Sequence, residues 1–340
     1  MEAFKNDVAV LLIFFNRPQQ FGKVFEAVKK ARPRELFLYQ DGARENRPDD
    51  IENVAACRKI AEDIDWECTV HKMYQEKNYG CDPSEFIAQT WAFGMVDKLI
   101  VLEDDCLPSQ SFFPFCKELL DKYENDTRIH KIIGTNMIGV NKECPWSYFF
   151  TNAGSCSGWA CWKRVYDLLD PSYAFIDNNY IKSLLQKAQY RKRFAKGLSN
   201  YYNTVIANRN SGVDHYETIW GTEASLQTQM NIVPKYNLVK NIGLSADSTH
   251  SFGDVRFYSK PVRFFYTMPN YEIDFPLVHP TAVINDVGFR EAQNNFYCSD
   301  RPFKKALYNT ESYIRRFIYG DKKGLWQGFK RRIAWRKNNG

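Results

Sequence analysis

The sequence predicts an α/β fold, a mixed and mostly parallel sheet flanked by helices. Two observations carry that prediction. From Val8 to Gly134, short apolar runs alternate with amphipathic segments, the pattern of strands joined by crossover helices. Three of those runs end in polar clusters, Asn16-Arg17, Gln40-Asp41-Gly42 and Glu103-Asp104-Asp105. In open parallel sheets ligands bind outside the carboxyl ends of strands, so three clusters at successive strand ends point to one site.

In chain order, strands are expected at Val8 to Phe15, Glu35 to Tyr39, Glu67 to Met73, Lys98 to Leu102 and Ile129 to Ile133. Helices fill the gaps. Phe21, Val24, Phe25 and Val28 fall on one helical face, and Pro18 stands where a first turn tolerates it. Ser84 with Ile87, Trp91 and Met95 opens a second helix. Ser111 is placed to cap a third, running through Phe115 and Leu119. Beyond about Lys142 the alternation weakens into loops rich in Gly, Asn and aromatics, as expected of an acceptor-side half. The division expected is 1–140 for a nucleotide-binding half, 141–280 for the other half of the same domain, and 281–340 for an extension.

Composition narrows the function classes. At 340 residues and 44% hydrophobic, the chain can bury a large core. Aromatics at 16% exceed what such a core needs, so ring-lined ligand grooves are as plausible as a Tyr- and Phe-rich interior. Nine cysteines without a CxxC pair indicate neither a disulfide framework nor a structural metal site, which fits a reducing cytoplasm. The apolar run Val8 to Phe15 is too short for an anchor and reads as a first strand.

The run LIVLEDDCLP, Leu99 to Pro108, concentrates the chemistry. Three consecutive carboxylates repel one another unless a cation sits among them. Mg²⁺ or Mn²⁺ suits, because such ions take one or two protein carboxylates and leave the rest of the shell to water and a diphosphate. The alternative is a solvated strand end whose acids favour the next helix. Arg17 can supply a cation or a stacking plane, and Asp41 can accept from a base N–H or a ribose hydroxyl.

VLLIFFNRP, LFLYQDGARE and LIVLEDDCLPSQSFFPFCKELL resemble the nucleotide-binding half of GT-A-fold glycosyltransferases. The likeness is to N-acetylglucosaminyltransferase type I-like enzymes and to related bacterial cytoplasmic sugar transferases, and it covers most of residues 8–252. It implies a Rossmann-like sheet in which Glu103-Asp104-Asp105 stands at the metal motif. Asp105 would then bind the metal, Asp104 the sugar or ribose, and Arg17 and Asp41 the nucleoside. GSCSGWACWKRVYDLL resembles the segment that closes over the donor sugar, making Gly158 and Trp159 candidates for donor contact; a Trp-rich packing helix is the other reading. PKYNLVKNIG is the most specific match. Aligned back from Pro234, the family's Trp-Asp pair falls on Tyr216 and Glu217. Glu217 is the first choice for general base, with an extra methylene relative to the family, and Glu223 is the rival. His250, in ADSTHS, is a further candidate for the metal or a diphosphate oxygen; a solvent-facing role is the other reading.

Net charge is +6, unevenly spread. Residues 301–340 hold 12 Lys or Arg against Glu311 and Asp321, whereas residues 1–300 carry 34 basic and 38 acidic groups. Basic residues interleaved with aromatics suit an anionic membrane surface, or a helical pair packed on the catalytic unit; nucleic acid is the weaker reading. The expected activity is metal-dependent, inverting transfer from a nucleotide-sugar, a UDP-sugar first, to a glycan or lipid-linked saccharide, by a cytoplasmic enzyme held at the membrane's inner face. A sugar-1-phosphate nucleotidyltransferase is the enzymatic alternative, though FFNRPQQF lacks that class's glycine-rich phosphate loop. A membrane- or polyanion-binding protein is the non-catalytic one.

Overall fold

The computed structural model describes residues 3, 5–188, 195–244, 254–297, 302–321 and 324–326. Among the described residues the strands are β1 (Ala9–Phe14), β2 (Glu35–Gln40), β3 (Thr69–Tyr74), β4 (Lys98–Glu103), β5 (Cys106–Pro108), β6 (Ile129–Ile133), β7 (Tyr148–Thr151), β8 (Trp159–Trp162), β9 (Met230–Pro234) and β10 (Val239–Asn241). Helices are α1 (Pro18–Ala31), α2 (Pro48–Ala61), α3 (Cys81–Phe93), α4 (Phe112–Lys122), α5 (Lys163–Tyr166), α6 (Asn179–Ala188), α7 (Ala195–Ser211), α8 (Tyr216–Leu226), α9 (Lys260–Thr267), α10 (Val287–Tyr297) and α11 (Pro302–Ile318).

Eight strands make one sheet in the order β3-β2-β1-β4-β8-β6-β9-β7, and β10 pairs with β5 in a separate antiparallel ribbon. β3, β2, β1 and β4 are parallel neighbours, as are β6 and β9; β8 and β7 run against their partners. The expected mixed, mostly parallel α/β sheet is what forms. β1 is buried along its whole length because it lies inside the sheet, whereas β3 is an edge and alternates partly exposed with exposed residues.

Four local expectations give way to tertiary context. Residues 159–162 form a strand wedged between β4 and β6, with no helix over them, since both faces there must be apolar and Trp159, Cys161 and Trp162 supply them. The stretch after Lys142, expected to be rich in loops, contributes β7, β8 and β9 to the same sheet as the first half. The buried stripe of α3 is Ser84, Glu85, Ala88, Gln89, Ala92 and Phe93; Met95 lies past the helix and is exposed. Ser111 precedes α4 without a side-chain cap, its hydroxyl engaging instead the Glu272 carboxylate and Ile273.

The chain after Pro280 begins by packing on the sheet. The Asp286 N–H donates to the Phe150 carbonyl at 2.7 Å, and the Phe289 ring lies 4.6 Å from that of Phe149. No helix among the described residues is long and apolar enough to cross a membrane.

Candidate active site

β1 and β4 are hydrogen-bonded neighbours, with Ile13 opposite Glu103, so the residues following each strand emerge side by side. The Phe15 N–H donates to Asp104 Oδ2 at 3.2 Å. Arg17, at the mouth of α1, donates through Nη1 to Asp105 Oδ2 at 3.0 Å and through Nη2 to Asp104 Oδ1. The acid triplet thus meets a cation, and in this state that cation is the Arg17 guanidinium.

Asp105 is held from the other side by the β5–β10 ribbon. Asn241 Nδ2 donates to Asp105 Oδ1 at 3.1 Å, and the Ile242 N–H to the Asp105 carbonyl at 2.8 Å. Gly243 follows, pressed so closely that a Cβ on it would stand 2.0 Å from Asp105 Oδ2 and 3.1 Å from Arg17 Nη1. Glycine is required here by space.

A further acid enters from α3. Glu85 is buried, and desolvation, with Asp104 and Asp105 adding to it, pushes its carboxyl up to about 8. Desolvation raises Asp104 to about 6 even with Arg17 opposing. Glu103 is driven well above the carboxylate range by desolvation and by Glu85, Asp105, Asp104 and Glu217. The Tyr216 hydroxyl donates to Glu103 Oε1 at 3.4 Å, which brings α8 against the cluster.

The two candidate bases separate clearly. Glu217, one residue into α8, is exposed and near enough to raise Glu103 and Cys156. Glu223 is buried, accepts from Gln227 Nε2 at 2.7 Å, and feels Asp170, which belongs to a different part of the molecule. Six residues along a helix is about 9 Å of rise and about 120° around the axis, so both cannot face one point.

Asp41 is engaged by the protein itself. Its carboxylate accepts from the N–H groups of Gly42 (3.0 Å), Tyr79 (2.9 Å) and Gly80 (3.0 Å) and from Asn78 Nδ2 (2.8 Å). Those four donors fill its acceptor positions, so it ties the β2 end to the β3–α3 loop and offers no lone pair to a nucleoside in this state. Gly158 and Trp159 lie at the start of β8. Gly158, at φ +67, lets the chain pass against β10, where a Cβ would meet Val239 at 2.7 Å. Trp159 is a buried sheet residue whose ring lies 5.0 Å from that of Trp220, a fixed wall in place of a closing segment. His250 lies outside the described residues.

Sequence reasoning missed Glu85, Asn241, Gly243 and Lys131. Lys131 is buried on β6 with Nζ 4.7 Å from the Trp159 ring and 4.6 Å from the Trp220 ring, a cation held by two indoles. The readable signal for Glu85 was its Gln89 partner one turn on, two polar residues on a face otherwise filled by Ala88 and Ala92.

Buried or half-buried acids outnumber the cations facing them: Glu85, Glu103, Asp104 and Asp105 stand against Arg17. Four carboxylates facing one guanidinium leave oxygen donors whose mutual repulsion a hard divalent cation would relieve. Among the described residues no three His, Cys, Asp or Glu side chains already converge as a ligand set. A metal here would compete with Arg17 for the same carboxylates.

No protein-family model and no curated protein sequence matches the chain. Among solved structures it is similar to an apo UDP-glucose pyrophosphorylase, with a TM-score of 0.34 and 7% identity over 68% of this chain and 93% of that one. It is similar to a UDP-glucose pyrophosphorylase complexed with UDP-glucose at a TM-score of 0.33, 7% identity, 68% of this chain and 91% of that one. The inositol-1-phosphate CTP transferase from T. maritima follows at 0.30, with 14% identity over 50% of this chain and 76% of that one.

Proposed function

We propose that the chain is a metal-dependent, inverting glycosyltransferase that moves a sugar from a nucleotide-sugar, a UDP-sugar first, to a glycan or lipid-linked saccharide. The observation that carries this reading is the acid cluster at the end of β4, facing the arginine that follows β1, with the exposed Glu217 carboxylate near enough to act on Glu103. Asp105 would hold Mn²⁺ or Mg²⁺, and Asp104 the ribose or sugar. The ion, when bound, neutralises the departing diphosphate. Displaced from the acids, Arg17 keeps its charge and turns to the same phosphates.

Glu217 would take the proton from the acceptor hydroxyl as that oxygen attacks the anomeric carbon and the bond to the phosphate oxygen breaks, its electron pair leaving with the diphosphate. One displacement inverts the anomeric centre. Solvent access suits this base, because an acceptor must reach it. Glu223, buried in a Gln227 hydrogen bond, lacks that access.

Isothermal titration with UDP tests the reading. Binding is expected with Mn²⁺ and absent without it, and Asp105→Ala is expected to lose it. UDP binding that ignores Mn²⁺ would remove the metal from the mechanism. A sugar-1-phosphate nucleotidyltransferase is the second reading, favoured by one feature, a basic side chain in the turn after the first strand. Release of pyrophosphate from UTP and a sugar 1-phosphate would select it. Slow metal-dependent hydrolysis of UDP-sugars would select the transferase.

A further inference from the structure

The helix α11 is built inside out. Five of its polar side chains face the protein: Glu311 accepts from Arg263 Nη1 at 2.8 Å and from the Lys260 N–H at 2.9 Å. Ser312 Oγ donates to the Phe257 carbonyl at 2.9 Å, Arg315 Nε to the Arg256 carbonyl at 2.7 Å, and Lys304 Nζ to the Asn295 carbonyl at 2.8 Å. The Arg316 guanidinium lies over the Tyr258 ring at 5.4 Å.

Its apolar side chains face outward. Phe303, Leu307, Ile314 and Ile318 recur at i, i+4, i+11 and i+15, with Phe317 beside them, a stripe about 100° wide and about 22 Å long. They are 79%, 54%, 55%, 66% and 78% exposed, in that order. A helix that packs on its domain normally turns this face inward. Here hydrogen bonds to backbone carbonyls and an ion pair fix the opposite orientation, so the apolar stripe is presented by design of the contacts beneath it. An exposed stripe of five large apolar side chains, broken only at Thr310, marks a surface that something covers.

We propose that this stripe lies in the interfacial layer of an anionic lipid membrane. Charge selects that occupant. The segment 301–340 carries 12 basic groups against two acidic ones, which a negative lipid surface attracts. A second copy docked stripe to stripe would bring two such segments together, and their repulsion opposes it. Nucleic acid is poorly served by a stripe whose Leu307, Ile314 and Ile318 have no ring to stack on a base. Large apolar residues on one face of a helix, in a strongly basic segment, are the features of helices that lie in the plane of a membrane. This surface is independent of which transfer reaction the active site runs.

Co-sedimentation of the full chain with vesicles tests it. The protein is expected to pellet with vesicles of phosphatidylcholine mixed with phosphatidylglycerol, and much less with phosphatidylcholine alone. Leu307→Glu/Phe317→Glu is expected to lower the pelleted fraction at least about tenfold while leaving the melting temperature unchanged, because neither side chain is buried. A full chain that stays in the supernatant with the anionic vesicles overturns the proposal. So does a double variant that pellets as the parent does, which would leave binding to charge alone. A parent that sizes as a dimer, ignores vesicles and becomes monomeric in the double variant gives the stripe to a second copy.

Discussion

Glu217 and Glu223 show how one residue's surroundings decide its chemistry. A base must be open to its substrate and near the charge that develops, and of the two only Glu217 combines exposure with proximity to Glu103. Glu217→Gln is expected to bind UDP within about twofold of the parent and to lower transfer by roughly 10²–10⁴, the usual worth of a general base. Parent-like transfer by this variant would move the base elsewhere. Two glycines give an opposed pair. Gly243→Ala would place a methyl 2.0 Å from Asp105 Oδ2, and overpacking of about 1–3 kcal/mol aimed at the acid–arginine contact should weaken UDP binding about tenfold to a hundredfold. Gly221→Ala, in open space on α8, is expected to raise stability by about 0.5–1 kcal/mol, since alanine is the better helix former. Calorimetry on both variants checks the pair.

At the scale of elements, what could be read in the chain was what periodicity and turn chemistry encode. β1, β2, β4 and β6 stand within a residue or so of their expected spans, and the α1 face Phe21, Val24, Phe25 and Val28 is buried as its spacing requires. The misses share a cause: elements whose form is set by distant partners. β8 is a strand because β4 and β6 leave a slot, and α3 turns Glu85 and Gln89 inward because Trp220 Nε1 donates to Gln89 Oε1 at 2.7 Å. Of the site, the strand-end clusters were legible, but Asp41's engagement by a loop nearly forty residues on was not. That engagement makes a prediction about the loop. Asp41→Asn puts an NH₂ in place of one carboxylate oxygen; at Oδ2 that leaves Asn78 Nδ2 and the Gly80 N–H facing another donor, and at Oδ1 the Gly42 and Tyr79 N–H groups. An unmet set of this kind costs about 1–3 kcal/mol, and limited proteolysis should open the chain near residues 77–80 before any global melting.

For the whole molecule, the acid cluster sets a pH dependence whose sign can be worked out. Glu85 ordinarily titrates near 4.5 and is raised to about 8 in the fold, so between those values the native state binds a proton the unfolded chain has lost. Its contribution is complete below about 4.5 and fades as pH rises through about 8. His130 runs the other way: burial lowers it from 6.5 to about 3, so its contribution is complete above 6.5 and lost as pH falls toward 3. Below 6.5 the two oppose each other, and the molecule's response there is a compromise. Between about 6.5 and about 8 His130 is silent and Glu85 still titrates, so the melting temperature should fall across that window. Glu85→Gln is expected to flatten the fall, because the amide neither titrates nor brings a buried charge. A bound divalent cation should flatten it too, by favouring ionised neighbours in proportion as protons leave, so Mn²⁺ is expected to raise the melting temperature more at pH 8 than at pH 6.5. Thermal melts of the parent at both pH values, with Mn²⁺ and with EDTA, read this directly. An equal Mn²⁺ shift at the two values would uncouple the ion from the buried carboxylates, and with it the idea that one cluster serves both the fold's charge balance and the donor's diphosphate.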